Sequence, residues 1–363
     1  MHGGINISGV NNIMEKKKLN IALIGYGGMG SWHVQTISNI DDVNLCGIWD
    51  IDPARREAAS TNGLHVYGSQ QELLDDLSVE AITIATPNDT HLPIALAAMG
   101  ARKHVVCEKP VALNSDELTQ MINFSREMGV LFTVHQNRRW DEDYLIIKKL
   151  YDQQTMGKVF NIESRVHGSR GIPSDWRNQK QHGGGMVLDW GVHLLDQMTM
   201  MLGGRKPRSV FAQLTNVTNE EVDDGFRAIF QFDDQLTFMV EVGTSNFIFM
   251  PRWYIQGENG TSIIQDWELN GEIVMVSDWE KRDAVPVVTA AGLTKTMAPR
   301  TDETVKKYPL PEVHADIRDF YRNVRACIHE GAQLLVRPEE VMEVMHIMEA
   351  IFRSAEQNCV VYL

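Results

Sequence analysis

The sequence is poor in cysteine. Four thiols, Cys46, Cys107, Cys327 and Cys359, are scattered through 363 residues with no C-x-x-C pair and no histidine-flanked cluster. That spacing excludes a disulfide framework and a zinc site as organising devices, and a reducing cytoplasm is the expected compartment. Long apolar runs are also missing. No stretch approaches the ~20 residues that span a bilayer, and the first eighteen residues lack the apolar segment of a signal peptide. Basic charge is in deficit, with 34 Lys+Arg against 48 Asp+Glu and a net charge of −14. This leaves no electrostatic footprint for nucleic acid. The chain has neither internal repeats nor low-complexity tracts.

What is present is the composition of a folded protein, 43% hydrophobic and 23% charged, at a length that fits two domains. Residues 1–18 read as a flexible tail, with Met14 a second candidate start besides Met1. Over 19–135, short β-branched runs (21–24, 43–49, 81–85, 105–106 and 130–134) alternate with segments of helical spacing (53–61, 91–99, 115–128). Runs of this kind suit strands buried on both faces, so the expectation is α/β, with a doubly wound parallel sheet. Over 136–363 the texture changes to a helix (141–154) and longer alternating runs (158–167, 208–218, 226–232, 236–242, 262–267, 272–276). These predict a second, α+β domain with an open, mainly antiparallel sheet. Residues 279–311 read as a long loop or arm, and helices are expected over 313–330 and 338–357, packed beside that sheet.

Gly25-Tyr26-Gly27-Gly28-Met29-Gly30 follows the first strand and opens a helix, and Asp50 stands at the end of the second strand, twenty positions past Gly30. Gly25 permits the tight turn, Gly27 lets backbone approach a pyrophosphate, and Gly30 allows close helix packing, while Asp50 is placed to accept from ribose hydroxyls. This predicts a dinucleotide site. A carboxylate there repels a 2′-phosphate, so NAD is favoured over NADP, with Arg55 and Arg56 expected on an exposed helix face.

Further motifs follow two of the strands: Thr86-Pro87-Asn88 with His91, and Glu108-Lys109-Pro110. With Gly183-Gly184-Gly185 and Asp189-Trp190-Gly191-Val192-His193, they make the chain resemble the Gfo/Idh/MocA oxidoreductases over nearly its whole length from Leu19. The resemblance implies a Rossmann domain holding NAD(P), a second domain whose open sheet forms a homo-oligomer interface, and a sugar or polyol site between them. It implies Lys109, Asp189 and His193 as the catalytic group and Thr86, Asn88, His91, Glu108 and Lys109 as cofactor contacts. It also implies a cis bond before Pro110. Asn137 and Arg177 are further cofactor candidates; Trp176, His182, Trp190 and Arg138 are substrate candidates; no metal is expected.

Asp189 and His193 are four apart, so on an α-helix they share a face and the carboxylate supports the imidazole. Neutral His193 then takes a hydroxyl proton while Lys109 stabilises alkoxide character, and either residue can be the terminal base. Within the family, the Asp175-Trp176-Arg177 loop and the arm around 292–300 look most like glycoside-oxidising members. The expectation is NAD-dependent oxidation of C3 of a glucoside, C-glycosides included, to a 3-keto sugar that a partner lyase or hydrolase consumes. The alternatives are an inositol or polyol dehydrogenase, an NAD-dependent glycoside hydrolase, an enzyme that recycles tightly held NAD between two sugars, and a non-enzymatic dinucleotide sensor.

Overall fold

The computed structural model describes residues 17–281 and 283–363. Most of the expected tail, and with it the choice between Met1 and Met14, lies outside the described residues. Lys17 is tied down: Arg325 Nε donates to its carbonyl at 3.0 Å.

The first half runs β1 (Leu19–Ile24), α1 (Gly28–Ser38), β2 (Val43–Trp49), α2 (Pro53–Thr61), α3 (Gln70–Asp75), β3 (Ala81–Ile84), α4 (His91–Gly100), β4 (His104–Cys107), α5 (Ser115–Met128) and β5 (Phe132–Val134). The strands form one parallel sheet in the order β2-β1-β3-β4-β5. β3 and β5 are buried at every residue, as expected of strands covered on both faces. The helix ends follow local chemistry. Asp52 caps α2, with Pro53 at its first position; Asn114 accepts from Glu117 N to start α5, and left-handed Gly129 stops it. The expected helices missed α3. At six residues it is too short to show a period, although Ser69 caps it by accepting from Glu72 N.

The second half contains α6 (Glu142–Asp152), β6 (Val159–His167), α7 (Val192–Met201), β7 (Ser209–Thr215), β8 (Gly225–Gln231), β9 (Thr237–Gly243), β10 (Trp253–Gly257), β11 (Gly260–Ile264), β12 (Gly271–Val276), a hairpin of β13 (Val287–Thr289) and β14 (Gly292–Thr294), β15 (Val305–Tyr308), α8 (Arg318–Glu330), α9 (Pro338–Gln357) and β16 (Val361–Tyr362). Nine strands form a sheet ordered β15-β12-β11-β10-β6-β9-β8-β7-β16, antiparallel except where β6 meets β9. Along β8, Phe226, Ala228 and Phe230 are buried while Arg227, Ile229 and Gln231 face outward. One face therefore packs under α6, α7 and α9, and the other stays open.

Three expectations need correction. β10 was not among the expected runs, yet it lies between β6 and β11 with Trp253 and Ile255 fully buried. Its five residues follow Pro251-Arg252 and end on Gly257, so they read as turn-flanked. The 279–311 arm is not all loop, since it holds the β13/β14 hairpin and delivers β15 to the sheet edge. There Lys306 and Lys307 suit an exposed edge strand while hiding its hydrophobic pattern. Finally, α8 packs on α1 and β2 of the first sheet rather than beside the second.

A buried ion cluster ties the layers together. Arg139, just after β5, donates to Asp196 of α7 through Nε and Nη2 at 2.8 and 2.7 Å and to Glu340 of α9 at 2.8 Å. No helix among the described residues is long and apolar enough to cross a membrane.

Candidate functional site

The C-terminal ends of β1, β2, β3 and β4 converge on one crevice. Gly25 has φ +97°, and a Cβ there would meet Ala85 O at 2.4 Å; a Cβ on Gly30 would meet Gly25 O at 2.1 Å. Both glycines are thus demanded by packing. Gly27 and Gly28 are not: a Cβ on Gly27 would touch only the end of Arg55, and one on Gly28 would touch nothing. Their openness leaves the N-terminus of α1 accessible, and that helix start has no side-chain cap and no acid in its first turn. Uncapped N–H groups beside bare backbone fit a pyrophosphate, so the residues present fit a dinucleotide.

Asp50, nearly buried, accepts from Tyr26 N at 2.6 Å and Asp52 N at 2.8 Å, one bond on each oxygen. Each oxygen keeps a second lone pair, so ribose hydroxyls can still donate. Arg55 is exposed, as expected, and Arg56 is half-buried, yet both reach Asp50. Arg56 donates to Asp50 O at 2.6 Å, and the Arg55 guanidinium stands 3.6 Å from the Asp50 carboxylate, half exposed. Across the crevice, buried Asn88 donates to Gly183 O at 3.0 Å, joining the first domain to the triple glycine. The Thr86 hydroxyl accepts from Thr90 at 2.7 Å.

Lys109 and Asp189 meet, and the Lys109-Pro110 bond is cis. Lys109 Nζ donates to Asp189 O at 2.9 Å and Oδ1 at 3.2 Å, while Arg177 Nε stands 3.4 Å from the same Oδ1. Burial alone would raise the Asp189 carboxyl, but the Lys109 and Arg177 charges and their hydrogen bonds outweigh it and leave the pKa below the ordinary value.

The expected Asp189–His193 pairing does not form. Residues Val187–Gly191 make a π-helical turn before α7, and the wider turn breaks the four-residue stacking of an α-helix. Asp189 consequently faces Lys109, and His193 instead rests edge-on to Trp190, with ring centroids 5.7 Å apart. Its Nδ1 is buried with no hydrogen-bond partner among the described residues. Burial, and then the Lys109 and Arg138 charges, hold the His193 pKa well below its ordinary value, so the ring is neutral with a lone pair to give.

Glu108 and His91 are both buried, and their side chains hold loops in place. His91 Nε2 meets Thr86 O at 2.9 Å and Nδ1 meets Pro110 O at 3.1 Å, clamping the two motif loops together. Glu108 Oε1 receives His33 Nε2 at 2.8 Å and His135 Nδ1 at 2.7 Å, and Oε2 receives the Lys109 backbone N–H at 3.1 Å. Tyr321 of α8 bonds His33 Nδ1 at 2.8 Å and Thr83 at 3.1 Å. Burial raises the Glu108 carboxyl, but His135 and the hydrogen bonds from both rings prevail, leaving it ionised and well below the usual range.

The His33, Glu108 and His135 donor atoms lie close enough to hold a metal ion. The protons are nevertheless accounted for without one: Thr83 can donate to Tyr321, Tyr321 to His33, both rings and Lys109 N to Glu108. The sequence reading missed His33, His135 and Tyr321, and local spacing gives no signal that brings 33, 108, 135 and 321 together.

A cavity of about 580 Å³ opens beside Asp189, lined also by Arg138, His167, Trp190, Phe249 and Trp267. Arg138 stacks over Trp190 at 4.2 Å and Trp267 at 5.5 Å, and Gln197 Nε2 fixes its backbone by donating to Arg138 O at 2.7 Å. Asn137 lines a neighbouring cavity of about 420 Å³ that shares Arg138 and Trp267, and its Oδ1 is buried without a hydrogen-bond partner among the described residues. The larger cavity thus takes in two substrate candidates, Arg138 and Trp190. Trp176 and His182 lie elsewhere, Trp176 against Arg177 at 4.5 Å and His182 on Asp89 at 2.9 Å. His167 and Trp267 were not among the predicted pocket residues.

Both halves of the chain match known protein families. The model of an oxidoreductase family with an NAD-binding Rossmann fold matches residues 19–136, and that of the GFO/IDH/MocA C-terminal domain matches residues 144–263. A solved NAD-binding protein from Listeria innocua is 46% identical, covering 96% of this chain and 100% of its own with a TM-score of 0.92. A scyllo-inositol 2-dehydrogenase (NADP(+)), IolW from Bacillus subtilis, is 25% identical over 354 residues, 95% of this chain and 96% of its own. A myo-inositol 2-dehydrogenase from Thermotoga maritima is 30% identical over 206 residues, 56% of this chain and 60% of its own.

Proposed function

Because the chain belongs to the Gfo/Idh/MocA family of NAD(P)-dependent oxidoreductases, we propose that it oxidises a secondary ring hydroxyl of a cyclic polyol or sugar, with Lys109, Asp189 and His193 as its catalytic group. The observation that carries this reading is the meeting of Lys109 and Asp189 beside a neutral His193 at the crevice. The two inositol dehydrogenases among the relatives support a cyclic polyol.

The residues divide the work as follows. Gly25, Tyr26, Gly27, Gly28, Met29, Gly30 and Asp50 hold the dinucleotide, with Thr86, Asn88, Asn137 and Arg177 around it. When bound, the nicotinamide supplies the hydride acceptor. Asp189 fixes the Lys109 ammonium, which hydrogen-bonds the reacting oxygen and stabilises the alkoxide as it forms. His193, kept neutral by burial and the two neighbouring cations, takes the hydroxyl proton. Arg138 and Trp190 wall the ring. Asp50 favours NAD, and Arg55 beside it gives a 2′-phosphate one cationic contact.

A narrower form of the same reading is C3 oxidation of a glucoside, supported by a cavity larger than a single ring needs. It keeps the open sheet face for a second copy and a separate lyase or hydrolase to consume the keto sugar. The test is to incubate the protein with NAD or NADP and inositols, aldoses or glucosides. Reduced nicotinamide and a product two hydrogens lighter are expected. Absence of both with every substrate ends the reading, and free sugar without net cofactor change would indicate hydrolysis instead.

A further inference from the structure

Between β9 and β10 the chain places Phe247, Ile248, Phe249 and Met250 in succession, with 84, 88, 61 and 53% of their surface exposed. From Gly243 to Pro251 no side chain is charged. Single exposed apolar residues are ordinary, but four together mark a surface that something covers. The segment is pinned at both ends to the strip after β6. Gly171 N donates to Thr244 O at 3.0 Å, Asn246 N to Gly168 O at 2.8 Å, and Met250 N to His167 Nδ1 at 3.3 Å. It is therefore a fixed ledge.

The ledge is continuous with the active-site cleft. Phe249 lines the same cavity as Asp189, Arg138 and Trp190, and exposed Arg170 lines that cavity too. Part of the lining carries the hydrogen-bonding groups that a polyhydroxylated ring requires, and Phe249 and Arg170 add an apolar shelf and a guanidinium able to lie over an aromatic face. A bare polyol has nothing to place there.

We propose that the ledge is a subsite for an aromatic substituent carried by the ring being oxidised, so that the preferred substrates are aryl glycosides. The inference rests on the polyol or sugar dehydrogenase reading above and names the substrate class of that site. Continuity with the cleft is what assigns the ledge to substrate rather than to a second copy of the chain.

The test measures binding of methyl and phenyl β-glycosides in gluco, galacto and manno configurations by calorimetry, alongside turnover of inositols and simple sugars. For at least one configuration the phenyl glycoside should bind roughly tenfold tighter than the methyl, the scale of half-burying a phenyl group. Phe249→Ser should remove that difference. Equal binding of methyl and phenyl forms in all three configurations overturns the proposal, as does binding of none of the six while a polyol is turned over. So does a phenyl preference that survives both Phe249→Ser and Ile248→Asn. Dissociation of an oligomer by Phe247→Asp without any phenyl preference assigns the ledge to self-association. Absence of turnover with every polyol and sugar refutes the parent reading instead.

Discussion

Taking the protein from pH 7.5 to pH 5.5 should lower its stability by about 2 kcal/mol, by the balance of terms that follows. His33 and His193 are buried, and both imidazoles are held below the ordinary 6.5, by burial first and then by His135 in one case and Lys109 and Arg138 in the other. His193, held well below, stays neutral in this range, and His33 takes its proton at lower pH than the unfolded chain, which binds one at each position near pH 6.5. More protons on the unfolded chain mean stability that is present above pH 6.5 and lost below it. One unit below, a ring that stays neutral favours unfolding by ~1.4 kcal/mol, which sets a ceiling of ~2.7 for the two.

Asp223 works in the opposite sense. Burial raises its carboxyl to about 6, so the native form holds a proton that the unfolded chain releases, returning ~0.8 kcal/mol at pH 5.5. Asp141 and Asp196, also raised by burial, act like Asp223, while His104 and His167, also lowered by burial, act in the opposite sense. Glu108 and Asp189, held low, are ionised in both states across the range and add nothing. His91 is left out of the sum because carbonyl oxygens face both of its nitrogens. Urea unfolding of the cofactor-free protein at the two pH values measures the difference. His193→Asn should shrink it by ~1.4 kcal/mol and Asp223→Asn should enlarge it. Stability that stays flat or rises on acidification, or an unchanged dependence in His193→Asn, would refute the neutral-imidazole reasoning.

Lys109→Met should lower kcat by ~10²–10⁴-fold, the range of a group acting on the reacting oxygen, with cofactor affinity by fluorescence within threefold; a loss under tenfold removes Lys109 from the chemistry. Arg55→Ala should weaken NADP by roughly three- to tenfold and leave NAD unchanged, a modest effect because the guanidinium is half exposed; equal effects on both cofactors would contradict its placement. Asp196→Ala leaves Arg139 buried with Glu340 as its remaining carboxylate and should cost about 3–5 kcal/mol in urea unfolding. A cost below about 1 kcal/mol would show that the cluster does not join the layers as described.

The first sheet was legible because its signals are local. Asp52-Pro53 and Asn114 mark helix starts, Gly129 marks a stop, and buried runs such as 81–84 need no distant partner to be read as strands. The Gly25–Gly30 turn was legible for the same reason, with spacing to Asp50 as its check. The second sheet was harder to read. Trp253–Gly257 is a central strand only because β6 and β11 flank it, and Val305–Tyr308 is a strand only because β12 offers an edge. Neither pairing is written in the strand's own residues.

The same distinction runs through the site. Sequence spacing put Asp189 and His193 on one α-helical face, yet a single π turn gives Asp189 to Lys109, eighty residues away, and leaves His193 neutral beside two cations. A carboxylate bonded to His193 would stabilise the imidazolium and weaken its need to shed the proton. A carboxylate bonded to Lys109 instead keeps the ammonium aimed while the imidazole remains a proton acceptor. Glu108 extends this arrangement. Its negative charge, held by His33 and His135 and braced by Tyr321 from the far end of the chain, sits directly behind the Lys109 backbone and is among the charges felt by His193. The return of α8 to the first sheet therefore has a chemical consequence. It closes the buried network that backs Lys109, and that closure arises only when residues 33, 108, 135 and 321 are folded together.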